Sequence, residues 1–225
     1  MFTTRSVPSI DGLTPWSESS GALMSADGVF RRTQTRIEDL HELPADQFEA
    51  AQSFIRQRYH DEYQALLHSY MPRIFVLTDG SGTLLGAVGI RNASESLFLE
   101  CYLDQPVETL IANAQRCSVD RRSIIEVGQF AGISPGSTRD MICHLTAYLY
   151  RAGYDWVVFT GTRSLRNGFK RLGLAPHDLG AAQPDRLPKD DPNEWGSYYQ
   201  HQPRVQYGYI PQGFHALIKN RNDLS

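Results

Sequence analysis

Glu126 stands inside an apolar run, SIIEVGQFAG (123–132), and the chain turns immediately afterwards through ISPGSTR (133–139). A carboxylate among apolar neighbours has its pKa pushed up, which suits a general base acting directly or through a water. The same residue could instead pair with Arg91, Arg121 or Arg122 as a structural ion pair, and the residue types alone leave both readings open. The turn offers Gly136 for close backbone approach, the hydroxyls of Ser134, Ser137 and Thr138, and the positive charge of Arg139. At a helix N-terminus these groups can cradle a phosphate. Ser137 and Thr138 serve equally well as N-caps, with Asp140 three residues after Ser137. The combination points to an enzyme that grips a phosphorylated carrier.

The elements that must position these groups follow from hydrophobic spacing. After the turn, Met141, Ile142, Leu145, Tyr148, Leu149 and Ala152 share a helical face that ends at Gly153. DWVVFTGT (155–162) is nearly continuous apolar sequence, as in a strand buried on both faces. Strand, helix and strand then form a right-handed parallel βαβ unit. Upstream, the spacing of Phe48, Ala51, Ile55, Tyr59, Tyr63, Leu66 and Tyr70 predicts a helix from Pro44 to Tyr70, stopped by Pro72. RIFVLTD (73–79) and LLGAVGIR (84–91) read as a hairpin across the short GSG turn (80–82). LFLECYL (97–103) reads as a further strand with Phe98, Glu100 and Tyr102 on one face, and RVQYGYI (204–210) as the last strand. The expected fold is α/β: a mixed, mostly antiparallel sheet with a central parallel βαβ unit. Residues 1–30, rich in Ser, Gly, Thr and Pro, read as a flexible arm, and 31–225 as a single domain.

Composition narrows the class. The 225 residues are 41% hydrophobic and 21% charged, with a net charge of −3, so nothing global argues for nucleic acid or a membrane surface. The three cysteines (Cys101, Cys117, Cys143) match neither a disulfide framework nor a CxxC ligand set. A cytoplasmic location is expected, because no run approaches the ~20 apolar residues of a membrane span and MFTTRSVPSIDG has no signal-peptide core. The seven histidines show neither HxH nor HExxH spacing, so no metal site is expected.

The βαβ unit and the later SLRNGFKRLGL (164–174) resemble the GNAT acyltransferase fold, whose central strand, turn and helix N-terminus hold the pyrophosphate of coenzyme A. More closely, LFLECYLD (97–104), IIEVGQFA (124–131), WVVFTGT (156–162), LRNGFKRLGL (165–174) and EWGSYYQHQPRV (194–205) resemble the thermostable hemolysin family, a GNAT-like group. Gln129-Phe130 stands where Asn-Leu is expected and Cys101 where Gln is usual. A weaker similarity, through Glu126 and Phe130, links the chain to acyl-homoserine lactone synthases.

The resemblance implies an N-acyltransferase that moves an acyl group from a thioester carrier, acyl-CoA or a phosphopantetheine-linked acyl-carrier protein, to an amine of a small molecule. Two other readings are an acyltransferase using aminoacyl-tRNA and a membrane-active lysin. Glu126 would be the base, and a backbone N–H of strand 126–132, near Gly128, would meet the oxyanion. Ser134, Gly136, Ser137, Thr138 and Arg139 would hold the donor's phosphates. Many GNAT enzymes carry a tyrosine acid where this chain has Phe169. A thiolate, with a thiol pKa of ~8.5, leaves with little help, whereas an alkoxide would need an acid such as Tyr198 or Tyr199. Arg91, Glu100, Tyr102 and Asp104 would face the acceptor, with Glu100 alternatively a solvated charge. Thr160 and Thr162 end the second parallel strand, at the usual binding edge of such a sheet. Arg163, Arg166, Lys170 and Arg171 form a basic face that either meets solvent or receives the 3′-phosphate of coenzyme A, an acyl-carrier protein or a tRNA acceptor stem. The overall acidity ranks tRNA last.

Overall fold

The computed structural model describes residues 35–39 and 45–222. The expected arm, 1–30, lies outside them. Seven strands form one sheet: β1 (Arg36–Asp39), β2 (Arg73–Thr78), β3 (Leu84–Asn92), β4 (Ile124–Gly132), β5 (Trp156–Gly161), β6 (His177–Ala181) and β7 (Arg204–Tyr209). Their order is β1-β2-β3-β4-β5-β7-β6. Only β4 and β5 run parallel among the described residues. Helix α1 (Ala45–Tyr63) lies on one face, with α2 (Val107–Gln115). The crossover helix α3 (Pro135–Arg151) lies on the other, with α4 (Arg163–Arg171) and α5 (Ile210–Asn222).

Strand alternation divides the core. Ile125, Val127 and Phe159 pack with Met141, Leu145 and Leu149 of α3. Ile124 and Val158 point the opposite way, into Leu99, Tyr102, Val107 and Ile111. Ile74, Val76, Ala87 and Ala131 face Ala51, Ile55, Tyr59 and Tyr63 of α1. Fully burying one such aliphatic side chain is worth ~1.5–3 kcal/mol, so the central strands hold both layers together. On the α3 side, Tyr150 stacks on Phe214 at 4.2 Å, which seats α5 against α3.

Three expectations are corrected. The first helix ends at Tyr63, not Tyr70: Gln64 turns left-handed (φ 55), its amide bonds His60 O at 2.8 Å, and the chain continues extended. Leu66 then pairs with Glu194 through amides at 2.7 and 2.9 Å, so its place in the helical stripe is coincidental. Residues 98–102 form a 3-10 turn rather than a strand, and the amides of Phe98 and Leu99 bond the Glu126 carboxylate rather than a neighbouring strand. The face this strand would have given is lost: Leu99 and Tyr102 are buried together. Finally, α3 starts at Pro135 with Ser134 as its N-cap, so Ser137 and Thr138 lie inside the first turn. Ser134 Oγ accepts from Ser137 N (3.1 Å) and Ser137 Oγ accepts from Ser134 N (3.0 Å), a capping box in which Ser replaces the usual Glu and Asp140 has no part. Proline at the first helical position loses no hydrogen bond.

Candidate active site

The site begins where the parallel pair comes apart. β4 and β5 stay in register from Ile124–Trp156 to Val127–Phe159, and no pairing follows, although β4 runs on to Gly132. On its other side β4 bulges: Gly128 pairs with Gly89 and Ala131 with Ala87, so Gln129 and Phe130 have no register partner in either neighbour. Gln129 takes a left-handed φ of 53°. Such a bulge bends the strand and strengthens the divergence.

A cavity of about 780 Å³ fills this opening and passes through the sheet. Gly128, Gln129 and Phe130 form its waist. On the α1 side it reaches Arg58, Tyr59, Tyr63 and Tyr198; on the other it runs between α3, α4 and α5, past Ile142, Leu145, Leu149, Phe159, Phe169 and Ile210. Ser134, Gly136, Thr138 and Arg139 wall it at the N-terminus of α3, and Thr160 and Thr162 at the end of β5. A Cβ added at Gly136 would meet only Ser134 Oγ at 3.5 Å, so the turn does not itself need a glycine. Ser137, by contrast, is buried and its hydroxyl is occupied by the cap.

The second group of expected site residues gathers under the 98–102 turn, on the α1 face. Glu126 is only 2% exposed; its oxygens accept from Phe98 N at 3.0 Å and Leu99 N at 2.9 Å. Burial pushes its pKa up, and these two amides and the nearby Arg91 pull against that rise. None of the three arginines considered makes a salt bridge to it. Arg121 binds Glu100 (2.7 Å) and Glu108 (2.5 Å), Arg122 binds Asp120, and Arg91 donates to Ser96 O at 3.1 Å. Glu100 also accepts from Val107 N (3.0 Å) at the start of α2, and Arg121 holds its pKa below the usual value. Asp104, almost fully exposed, pairs with Arg186 at 2.7 Å. Glu100 and Asp104 are thus engaged by the protein's own cations.

The two tyrosines of the tail part company. Tyr198 packs among Tyr59, Tyr63 and Trp195 at the cavity end, and burial raises its pKa. The Tyr199 hydroxyl lies 2.6 Å from that of Tyr102, away from the cavity wall, its pKa pushed up to about 12 chiefly by burial. Arg166 also points away: it donates to Gln202 O at 3.1 Å, while Arg163 donates to Gln202 Oε1 at 2.9 Å. Of the basic face on α4, Arg171 is the member that reaches the cavity. Sequence reasoning assigned Tyr59 and Tyr63 to core packing alone. The signal available was their hydroxyls, which a purely apolar stripe does not need. Arg58 was missed, because only tertiary placement brings it to the cavity; the strand backbone near Gly128 was expected at the site, but Gln129 was read only as a departure from the family's Asn. No group of three or more His, Cys, Asp or Glu able to hold a metal ion occurs among the described residues.

A mixed sheet that splays at its parallel pair, beside the N-terminus of the crossover helix, is the fold of GNAT-like acyltransferases. A family model for thermostable hemolysins matches residues 42–214, and the chain belongs to that family. Solved structures of similar fold include FeeM, an N-acyl amino acid synthase from uncultured soil microbes (TM-score 0.53, 16% identity, 79% of this chain and 93% of that one). TofI in an apo form gives a TM-score of 0.55 at 17% identity over 82% of this chain and 95% of that one. BjaI, a CoA-dependent acyl-homoserine lactone synthase with SAM and isopentyl-CoA, gives 0.54 at 13% identity over 83% and 89%. No curated protein matches the chain. At these identities the likeness is one of fold.

Proposed function

We propose that the protein is an N-acyltransferase that moves an acyl group from a thioester carrier, acyl-CoA or acyl-carrier protein, to an amine of a small molecule. The observation that carries this reading is the cavity through the splayed β4–β5 pair, with the N-terminus of α3 on its wall. Phosphates of the carrier would lie against the Gly136 backbone, the Thr138 hydroxyl and the Arg139 guanidinium, which line the cavity beside the start of α3; the Ser137 and Thr138 amides are already bonded to Ser134. The thioester carbonyl would reach the unpaired backbone at the bulge, and Thr160 and Thr162 would face it from β5. Six apolar side chains between α3, α4 and α5 offer the room and the character an acyl chain needs. The amine would approach from the α1 face, towards Tyr59, Tyr63 and Tyr198. Glu126 does not line the cavity and is held by the amides of Phe98 and Leu99, so it would take the amine's proton only through a water.

Leaving-group chemistry favours a thioester over the ester of an aminoacyl-tRNA. Phe169 has no proton to give and packs tilted against Phe159 with ring centroids 4.8 Å apart, and a thiolate needs none. The solved neighbours described as an N-acyl amino acid synthase and a CoA-dependent acyl-homoserine lactone synthase are consistent with an acyl donor and an amine acceptor.

Thermal unfolding with CoA, acyl-CoAs of increasing chain length and acyl-carrier protein tests the proposal. A donor at a hundredfold excess over its Kd adds about 2.7 kcal/mol, or roughly 5–10 °C in Tm for a chain of this size. Longer acyl chains should stabilise more than free CoA. No shift with any of the three ligands would remove the thioester reading.

A further inference from the structure

Gln129 holds an unusual backbone conformation with a side chain that is fully committed elsewhere. Its φ of 53° lies in the left-handed region, which non-glycine residues enter only when their surroundings impose it. Its Oε1 accepts from Met71 N at 2.9 Å and its Nε2 donates to Ser69 O at 2.7 Å. Both bonds go to the extended segment that follows α1. That segment is itself fixed: Asn193 Oδ1 accepts from His68 N (2.8 Å) and Ser69 N (3.1 Å), and Leu66 pairs with Glu194. Met71 packs so closely over β3 and β4 that a Cβ at Gly89 or Gly128 would collide with its side chain. The bulge is therefore clamped at Gln129, the first of the two cavity-lining residues that lack a register partner, and at Gly128 just before it.

We propose that Gln129 is a positioning residue for acyl transfer: its two bonds to the 69–71 segment hold the bulge in the form that presents the Gln129–Phe130 backbone to the donor carbonyl. An oxyanion donor works only if it is already aimed where charge develops, and a loose bulge would have to order itself during the reaction. This rests on the acyltransferase reading. It adds a claim about turnover that a mere fastening of the 69–71 segment would not make.

The test compares single-turnover acyl transfer, donor affinity and Tm in wild type, Gln129→Ala and Gln129→Glu. The alanine variant loses both bonds, and its turnover should fall about 10–100-fold, short of the ~10²–10³ for deleting an oxyanion donor outright, with donor affinity within about twofold of wild type. The glutamate variant keeps an acceptor for Met71 N, but donates to Ser69 O only when protonated. Its turnover relative to wild type at each pH should therefore climb as the pH falls. Undiminished turnover in both variants would overturn the proposal. So would turnover, donor affinity and Tm falling together with a pH-independent ratio, or failure of both variants to fold, because the residue would then serve the fold alone. A wild-type protein that binds no thioester donor and forms no acyl product would overturn the enzyme reading, and this inference with it. Active wild type with indifferent variants would overturn this inference only.

Discussion

At Glu126 the amides of Phe98 and Leu99 take both carboxylate oxygens, so one substitution probes a base and an anchor at once. Glutamine can accept one of these bonds, but its NH₂ meets the other N–H, leaving a buried donor unsatisfied at a cost of ~1–3 kcal/mol. As base, the residue acts ionised, so wild-type turnover should rise with pH through its raised pKa, and Glu126→Gln should lose ~10²–10⁴-fold at pH values above it. Stability moves the other way. Because burial lifts the folded pKa above 4.5, the native state keeps its proton longer than the unfolded chain does. The contribution of Glu126 is therefore full below about 4.5 and is lost as pH rises through the folded value. Glu100 has the opposite sign: Arg121 lowers its pKa, so its contribution is present above 4.5 and is lost as pH falls. Denaturant titrations across pH should show the alkaline-side decline of wild type flattened in Glu126→Gln. A flattened decline with undiminished turnover would leave Glu126 as the anchor of the 98–102 turn and nothing more.

Among the elements, the N-terminus of α3 can be tested without disturbing the fold. Ser134 and Ser137 cap it between themselves, and a Cβ at Gly136 meets nothing nearer than Ser134 Oγ at 3.5 Å. Gly136→Val should leave Tm within about 2 °C, since a surface change away from special backbone stays within ~0.5 kcal/mol. It should abolish the Tm increase given by CoA, because a branched side chain on the cavity wall keeps phosphate off the backbone. Equal losses of Tm and of CoA response would assign the glycine to the turn alone. The strand, turn, helix and strand from 124 to 161 were legible in the sequence because both faces of β4 and β5 are buried and α3 has a continuous apolar stripe. Elsewhere the templates misled for identifiable reasons. The run 97–103 alternates like a strand, yet a carboxylate 27 residues downstream supplies the partner its amides need. Helix α2 carried no recognisable ends: Pro106 caps it without a side-chain bond and Arg116, not glycine, takes the left-handed exit. α5 follows β7 without a turn, so its first residue read as the last of the strand. The site divides likewise: the phosphate-side residues came from local spacing, whereas Arg58, Gln129 and Arg171 reach the cavity only through tertiary placement.

For the molecule as a whole, the family name poses a question that architecture can address. No helix among the described residues is long and apolar enough to cross a membrane. The apolar faces of α1 and α3 are used in packing against the sheet, with Ala51, Ile55, Met141 and Leu149 each at most 2% exposed. A surface-lying helix would need such a face free. Acyl transfer to a small amine, on the other hand, joins a hydrocarbon chain to a polar head and so makes an amphiphile, whose membrane affinity grows by ~0.8 kcal/mol per CH₂ buried. On the proposed acyl-transfer reading, lysis should then follow formation of the product. Dye-loaded vesicles exposed to purified protein alone should stay intact. Vesicles given protein with a long-chain acyl donor and the accepted amine should leak, after a lag set by product accumulation, and a heat-killed reaction mixture should retain the leakage. Short acyl donors should give product without leakage, because each chain shortened by six carbons forfeits about 5 kcal/mol of membrane affinity. Immediate leakage from the protein without substrates would reverse this assignment and place the membrane-active element in the polypeptide itself.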